Sequence, residues 1–310
     1  MKRIAGLFTT LLLLMALASC NSPKSAGENP FFTQWDTPFG VPPFDKIRAE
    51  HFMPAFERGM SLHDAEIDAI TSNNDEPTFE NTILAYDNAG QMLAQTELIF
   101  GMLFAAETNE RMQALQEQVM PLLSAHRDKI RLDEKLFARV KDVYDRRASL
   151  GLDAEQSRLL RKTYDAFVRS GALLDAGQKA RLKEINGELS LTAVKFGNNI
   201  LAENNNFALE LTADDLEGLP SGVRDAAREK AQAMGKGDKW VFTLHKPSLI
   251  PFLTYSAKRD LREKIYKAYL NRCNNGDQYD NKQLINDFIR LRTEKAKMLG
   301  YPSYAAYVVA

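Results

Sequence analysis

Apolar residues recur three and four apart along most of this chain. Phe52, Ala55, Phe56 and Met60 open the pattern, and after Thr78 a longer stripe runs through Ile83, Tyr86, Gly90, Leu93, Glu97, Phe100 and Phe104. A second stripe comprises Met112, Leu115, Val119, Leu122, His126 and Ile130. Leu160, Tyr164 and Phe167 form a third, and Leu182, Ile185, Leu189, Thr192 and Phe196 a fourth. Spacing near 3.6 keeps one side of a helix apolar, so each stripe predicts an amphipathic helix with that face inward. Their lengths predict long antiparallel helices.

Two segments have a different period. Asn206 to Leu211 alternates, as does Trp240 to His245, and alternation places successive side chains on opposite faces of a strand. A helical stretch around Ala226 to Met234 and the turn cluster Gly235-Lys236-Gly237-Asp238 lie between them, which predicts a small two-stranded ribbon inserted among helices. Helices resume before Tyr255, through Leu261, Ile265 and Ala268, then through Leu284, Phe288, Leu291 and Met298. Gly300 suits the position just past a helix end. Pro302 and Ser303 suit the start of a last helix whose inner face would hold Tyr304, Tyr307 and Val308. No repeat of fixed period appears, which argues against a regular helical solenoid. The expected fold class is all-α, mostly long antiparallel helices, with one small two-stranded β insertion.

Composition adds limits. With 310 residues, 45% of them apolar, the chain is long enough for a substantial core. Charged residues make up 26% and the formal net charge is -1, so there is no electrostatic footprint for nucleic acid, and no nucleic-acid partner is expected.

The first residues change the picture more. Lys2 and Arg3 precede an apolar run from Leu7 to Leu17, which closes on Leu17-Ala18-Ser19-Cys20. A basic start, a run shorter than the roughly 20 residues of a membrane span, and small residues before a cysteine describe a bacterial lipoprotein signal. An ordinary signal peptide is the alternative. The expectation is a signal peptide at 1–19, lipid attachment at Cys20, a small polar tether at 20–29 and a folded helical region at 30–310. Such an anchor would place the protein in the cell envelope on the periplasmic side, with Asn21 after Cys20 favouring the outer over the inner membrane. With only two cysteines in the chain, a lipidated Cys20 leaves Cys273 without a disulfide partner. Cys273 falls where a helix end runs into the turn Asn274-Asn275-Gly276, without a neighbouring histidine, which argues against a nucleophile.

Candidate chemistry is sparse. The four histidines, His51, His63, His126 and His245, include no pair four residues apart, so the HExxH arrangement, with two imidazoles and a base on one helix face, is absent. His126 lies on an inner stripe and reads as a hydrogen-bonded core or rim histidine, His51 as a surface group. Gly218-Leu219-Pro220-Ser221-Gly222 has its serine misplaced for a nucleophile elbow and reads as a loop ending in a helix cap. Gly235-Lys236-Gly237 is too short to cradle phosphate, and Asn274 to Asn281 lacks calcium-loop spacing. No catalytic, cofactor-binding or metal-ligating residue is assigned. The residues by themselves describe a helical lipoprotein domain without a complete active site.

Several phrases carry a resemblance when taken in order. They are Asn29-Pro30-Phe31-Phe32, Pro43-Phe44-Asp45-Lys46-Ile47, Phe52-Met53-Pro54-Ala55-Phe56, Pro77-Thr78-Phe79-Glu80-Asn81-Thr82 and Leu216-Glu217-Gly218-Leu219-Pro220. Arg262-Glu263 with Tyr266, Ala268 and Arg272 follow, then Arg292, Glu294, Ala296 and Leu299-Gly300-Tyr301 with Ser303, Tyr304, Ala305 and Tyr307. Together, from about Asn29 to the end, they resemble the peptidyl-dipeptidases, or dipeptidyl carboxypeptidases, of the thimet-oligopeptidase-like zinc metallopeptidases. Ala306 departs from the pattern, standing where many relatives carry a glutamate that would complete a capping box.

The resemblance implies a mostly helical, two-lobed enzyme divided by a deep channel, acting on oligopeptides and releasing C-terminal dipeptides. Members are about twice this length, with the zinc-binding HExxH helix in the half that follows the Leu299-Gly300-Tyr301 phrase. The expectation is therefore an N-terminal half, ended by a split gene, a frameshift or incomplete assembly, and inactive alone. Zinc would belong to the intact enzyme and not be bound by these residues, and a complementary C-terminal catalytic half would be the partner. Two alternatives stand beside it: an internally cutting oligopeptidase of the same family, and a non-catalytic helical lipoprotein that binds peptides or a partner. A protein that stands alone should bury its last helix, whereas an interrupted one should leave a face lined by Tyr307 and Val308 open.

Overall fold

The computed structural model describes residues 29–310. The signal segment, Cys20 and all but the last residue of the tether lie outside the described residues. No described helix is long and apolar enough to cross a membrane. The chain forms two compact units, 29–75 with Leu84–Leu115, and Glu76–Ile83 with Gln116–Ala310.

The first unit is organised by phenylalanines. Asn29 starts it: its Oδ1 accepts from the Phe31 N–H at 3.1 Å, fixing the turn Pro30–Phe32, and its Nδ2 donates to the His51 carbonyl at 2.9 Å. Helix α1 (Ala49–Thr71) begins there, with the Arg48 N–H donating to His51 Nδ1 at 3.0 Å, so the part-exposed His51 also caps the first turn. Helix α2 (Gln91–Glu107) packs along α1. Phe100 meets Phe52 and Phe56 edge-on, with centroids 5.2 and 5.5 Å apart, and Phe31 closes on Phe52 at 5.3 Å. The two helices approach closely at Gly59, where a Cβ would stand 3.0 Å from Leu93 Cα.

The stripe from Ile83 to Phe104 is not one helix. Thr78 and Asn81 cap each other, at 3.1 and 2.8 Å, to start a wide π turn at Phe79–Leu84. Gly90 then breaks the path with φ +76, its N–H held by Glu66 Oε2 at 2.6 Å. A glycine at three-or-four spacing satisfies the period while ending the helix.

The phase of the second stripe, whose helix runs from the end of the first unit into the second, needs correction. On helix α3 (Glu110–Arg131) Met112, Leu115, Val119, His126 and Ile130 are buried as expected, but Leu122 is 44% exposed and Leu123 fully buried. Stepping from Val119 by four to Leu123 and then by three to His126 keeps the face; stepping through Leu122 leaves it. Helix α4 (Glu134–Asp145), absent from the sequence reading, starts at Asp133, whose carboxylate accepts from the Leu136 N–H at 2.7 Å, and buries Leu136, Phe137, Val140 and Val143. It packs on α5 (Ala154–Arg169), where Phe137 stacks on Tyr164 and Phe167 and Tyr144 stacks on Tyr164. Helix α6 (Ala176–Asn206) follows. Asp153 with Gln156, and Asp175 with Gln178, form reciprocal capping boxes at the starts of α5 and α6. On α6 Leu182 and Ile185 are buried, Leu189, Thr192 and Phe196 only half so, and Val194 and Asn199 take over the inner face.

The ribbon forms where alternation places it, with shorter strands. β1 (Leu209–Leu211) pairs antiparallel with β2 (Trp240–Phe242), Leu209 opposite Phe242 and Leu211 opposite Trp240. Between them α7 (Ser221–Ala233) follows a loop in which Pro220 occupies the cap position without a side-chain bond. Helices α8 (Lys246–Tyr255) and α9 (Arg259–Leu270) complete this part, and Leu209, Leu211, Phe242, Leu244, Phe252 and Ile265 share its core. Gly218, at φ +82, lies so close to the Tyr255 carbonyl that a Cβ would collide with it.

Helix α10 (Lys282–Met298) packs on α6, tied by a two-pronged bond from Arg181 to Glu294 at 2.7 and 3.0 Å and by the buried Asn199–Asn281 contact at 2.8 Å. Gly300, at φ +83, ends it in a Schellman turn, with the Tyr301 N–H on the Ala296 carbonyl and the Gly300 N–H on that of Lys297. Ser303 caps α11 (Tyr304–Val309) through the Ala306 N–H at 3.1 Å, as its sequence position predicts. The inner face of α11 is narrower than expected: Tyr304 and Tyr307 are half-buried, but Val308 is 56% exposed and points outward. Arg169 Nη2 donates to the Tyr307 carbonyl at 2.7 Å, satisfying one of the carbonyls left over at that helix end.

The phase of α3 is directly testable. Leu123→Ala should lower unfolding stability by about 2–5 kcal/mol, and Leu122→Ala by no more than about 0.5 kcal/mol. Urea denaturation of both variants checks this, and equal losses would contradict the observed register.

Candidate functional site

A concavity with built walls lies in the second unit beside the ribbon. It is a cleft of about 530 Å³ between α7, β2 and the start of α8. Gly222, Val223, Ala226 and Ala227 supply the α7 wall, small residues that leave room, and Val241 and Phe242 supply the strand wall. Polar residues in its lining are Asn205, Lys230, Thr243, His245 and Ser248. No carboxylate lines it. A mostly apolar cleft of this size with a few polar groups suits one or two side chains of a peptide or a comparable small ligand.

Its chemistry is that of binding. Ser248 Oγ accepts from the Thr243 N–H at 3.0 Å, so its hydroxyl serves the start of α8. His245 Nδ1 lies 3.3 Å from Thr243 Oγ1, so the imidazole and the Ser248 hydroxyl each engage Thr243 rather than forming a nucleophile–base pair. The ribbon beside it is held electrostatically. Glu210 on β1 pairs with Lys236 at 2.8 Å and with Lys239, and these hydrogen bonds, Lys236 first, pull its carboxyl down to about 2. Arg228 on α7 bonds Asp238 at 3.0 Å and covers the Trp240 ring at 5.0 Å, tying helix to strand.

Other chemistry-bearing residues are dispersed. His51 caps α1; His63, also on α1, stands against Gly90; His126 is buried on α3; His245 precedes α8. Among the described residues no three His, Cys, Asp or Glu side chains are grouped to hold a metal ion. The zinc implied by the family resemblance has no such ligand group among the described residues. Cys273 is buried at φ +55, its N–H donating to Glu203, which also accepts from the Asn275 amide. Burial, with the Glu203 carboxylate beside it, pushes the thiol up to about 12, so it stays protonated and unreactive. Cys20, the expected lipid site, is outside the described residues. The cleft itself was missed by the sequence reading; its one sequence-level trace is Gly222 and Ala226, small residues four apart on a helix face.

Residues 252–310 match Peptidase family M3. Over 283 residues, 91% of this chain and 42% of the relative, the sequence is 36% identical to "Dipeptidyl carboxypeptidase" of Escherichia coli (strain K12). It is 35% identical over 285 residues to the protein of the same name from Salmonella typhimurium. Identity to "Oligopeptidase A" of Escherichia coli is 27% over 281 residues, 87% of this chain and 40% of that protein. The resemblance carried by the phrases between Asn29 and Tyr307 thus extends over most of the sequence, and the chain spans about two fifths of the length of the curated relatives it matches.

Two measurements test this chemistry. At pH 8 the native Cys273 thiol should resist a disulfide reagent such as Ellman's and react fully once the chain is unfolded in guanidinium; fast native labelling would contradict its burial. Glu210 has a folded pKa below its unfolded one, so its contribution is present above about pH 4.5 and is lost as pH falls toward 2. The melting-temperature difference between the wild type and Glu210→Gln should accordingly shrink from pH 6 to pH 3.

Proposed function

We propose that this chain supplies the helical, non-metal-binding part of a zinc-dependent peptidyl-dipeptidase, an enzyme that releases dipeptides from the C-terminus of oligopeptides. The observation that carries this reading is the 36% identity over 283 residues to a dipeptidyl carboxypeptidase, against 27% over 281 residues to an oligopeptidase A. That difference favours the dipeptide-releasing branch over the internally cutting one.

Division of labour follows from the residues. None of the four histidines forms an HExxH pair, so the zinc ligands and the catalytic base would come from sequence beyond these 310 residues. Zinc in such an enzyme polarises the scissile carbonyl and activates a water. This chain's part is to bind and position peptide, and by itself it is inert. The experiment supplies the purified chain with zinc and an oligopeptide bearing a free C-terminus, and follows products by mass spectrometry. No turnover is expected from the chain alone, and C-terminal dipeptides are expected once a complementary HExxH-bearing polypeptide is added. Zinc-dependent hydrolysis by the chain alone would overturn the proposal.

The cleft beside β2 favours a second reading, in which the chain holds peptides without contributing to their cleavage. Saturable peptide binding by the isolated chain that Ala226→Trp abolishes, with no turnover when the complementary polypeptide is present, would select it. We also propose a lipid anchor at Cys20 in the cell envelope, supported by the basic start, the apolar run and the small residues before that cysteine. Labelled palmitate should enter the protein in cells and be lost in Cys20→Ala.

A further inference from the structure

A second concavity, of about 450 Å³, opens between the end of α4 and the first turns of α5 in the second unit. Its walls are Tyr144, Arg147, Ala154, Ser157, Arg158 and Arg161. Three guanidinium groups therefore line one cleft without a carboxylate among the lining residues, in a chain whose acidic and basic residues balance to a net charge of -1. Other arginines of this unit are paired with carboxylates. Arg146 bonds Glu76 at 2.7 Å and Asp142 at 2.6 Å, and Arg181 bonds Glu184 and Glu294. Among the described residues, Arg147, Arg158 and Arg161 have no such ion pair within 4 Å.

The wall that carries Arg147 is held in place. Its Nη1 donates to the Tyr144 carbonyl at 2.9 Å and its guanidinium lies over the Tyr144 ring at 4.2 Å. Tyr144 in turn lies flat on Tyr164, with centroids 3.8 Å apart and planes 5° apart, and Tyr164 stacks on buried Phe137. On the facing side Ala154, Ser157, Arg158 and Arg161 recur at helical spacing along one face of α5. Holding one side of the cleft by these internal contacts lowers what a ligand must immobilise.

We propose that this cleft binds a phosphoryl anion carrying two or more negative charges. Guanidinium groups pair with phosphate and carboxylate oxygens in a two-pronged geometry, and gathering three of them leaves a charge that one carboxylate cannot neutralise. A terminal phosphoryl group presents several oxygens on one centre, enough for three arginines and the Ser157 hydroxyl. The same chemistry is offered by a soluble phosphate ester or polyphosphate and by a phospholipid head group. The proposal is independent of the peptidase reading, because it uses none of the residues of the cleft beside β2.

Inorganic pyrophosphate serves as the probe, titrated calorimetrically into the purified chain at 50 mM or lower salt. Saturable one-site binding is expected, weakened at least tenfold in Arg158→Glu/Arg161→Glu. Lys264→Glu, a single charge reversal at an exposed position of α9, should leave it within twofold. Circular dichroism confirms that each variant is folded; should the double variant unfold, Arg158→Gln replaces it and should weaken binding at least threefold. Sedimentation with phosphatidic acid vesicles and with phosphatidylcholine vesicles distinguishes the sources: retention on the former alone, lost in the arginine variant, assigns a lipid head group, and pyrophosphate binding without retention assigns a soluble ligand. Absence of saturable binding to either probe, an equal loss in Lys264→Glu, or tighter binding of citrate than of pyrophosphate would overturn the proposal.

Discussion

Burial of one face of each helix against its neighbour is the constraint on which this protein depends. Cys273 has no disulfide partner among the described residues, so nothing covalent ties one part of the fold to another, and the favourable term is the removal of apolar surface from water. That term acts only if each helix starts at the right residue. A helix begun one residue early or late turns its stripe by about 100°, enough to lift Phe100 off Phe52 and Phe56 or to exchange Leu123 for Leu122. Fixing the starts is therefore as important as the apolar content.

Short polar groups do that fixing. Asp133, Asp153, Asp175 and Ser303 each accept a backbone N–H at a helix start, and Thr78 and Asn81 do so reciprocally before the π turn. Each such cap contributes about 0.5–2 kcal/mol, less than a buried leucine. A cap also determines which leucine is buried. The ends are fixed by left-handed glycines: Gly90 sets the entry into α2, and Gly300 closes α10 so that Tyr301 can turn toward Tyr307, 5.3 Å away.

Much of this was legible in the sequence because period and punctuation are local. The ribbon, the glycine at 300, the cap at Ser303 and most of the inner stripes follow from spacing alone. Where the reading failed, a local rule had two solutions. Leu122 and Leu123 both fit a three-or-four step from Val119, and only packing of the whole face selects Leu123. Gly90 fits the stripe and also breaks it. Helix α4 has local signals in Asp133 and the run from Leu136 to Val143, but the stack of Tyr144 on Tyr164 needs its packing on α5 as well. Neither cleft could be read, because each needs elements far apart in sequence or an unassigned helix: one joins α7 to β2 and α8, the other joins α4 to α5. The absence of HExxH, by contrast, is a property of the string of residues and needed no structure.

One polar link joins three of the helices that packing brings together. Asn186 on α6 donates to Asp128 on α3 at 2.7 Å and accepts from Lys295 on α10 at 2.7 Å. Burial is the main influence on both charged ends, pushing the Asp128 carboxyl up and the Lys295 ammonium down. The signs matter. A carboxyl raised in the folded state favours folding below its unfolded value of 3.8 and loses that advantage as pH rises through the folded pKa. An ammonium lowered in the folded state favours folding above 10.5 and loses that advantage as pH falls through its folded pKa. Each shift reflects the cost of desolvating the charged form, which the Asn186 bond to Asp128 and the mutual attraction of the two charges only partly offset. A link of that kind is poorly explained as a source of stability. It is better explained as a selector: α3, α6 and α10 satisfy all three groups in one relative alignment, and a slip of any helix would leave a half-buried charge without its partner. The apolar stripes tolerate several alignments, and this bridge discriminates among them. Through Gly300, the placement of α10 is handed on to α11.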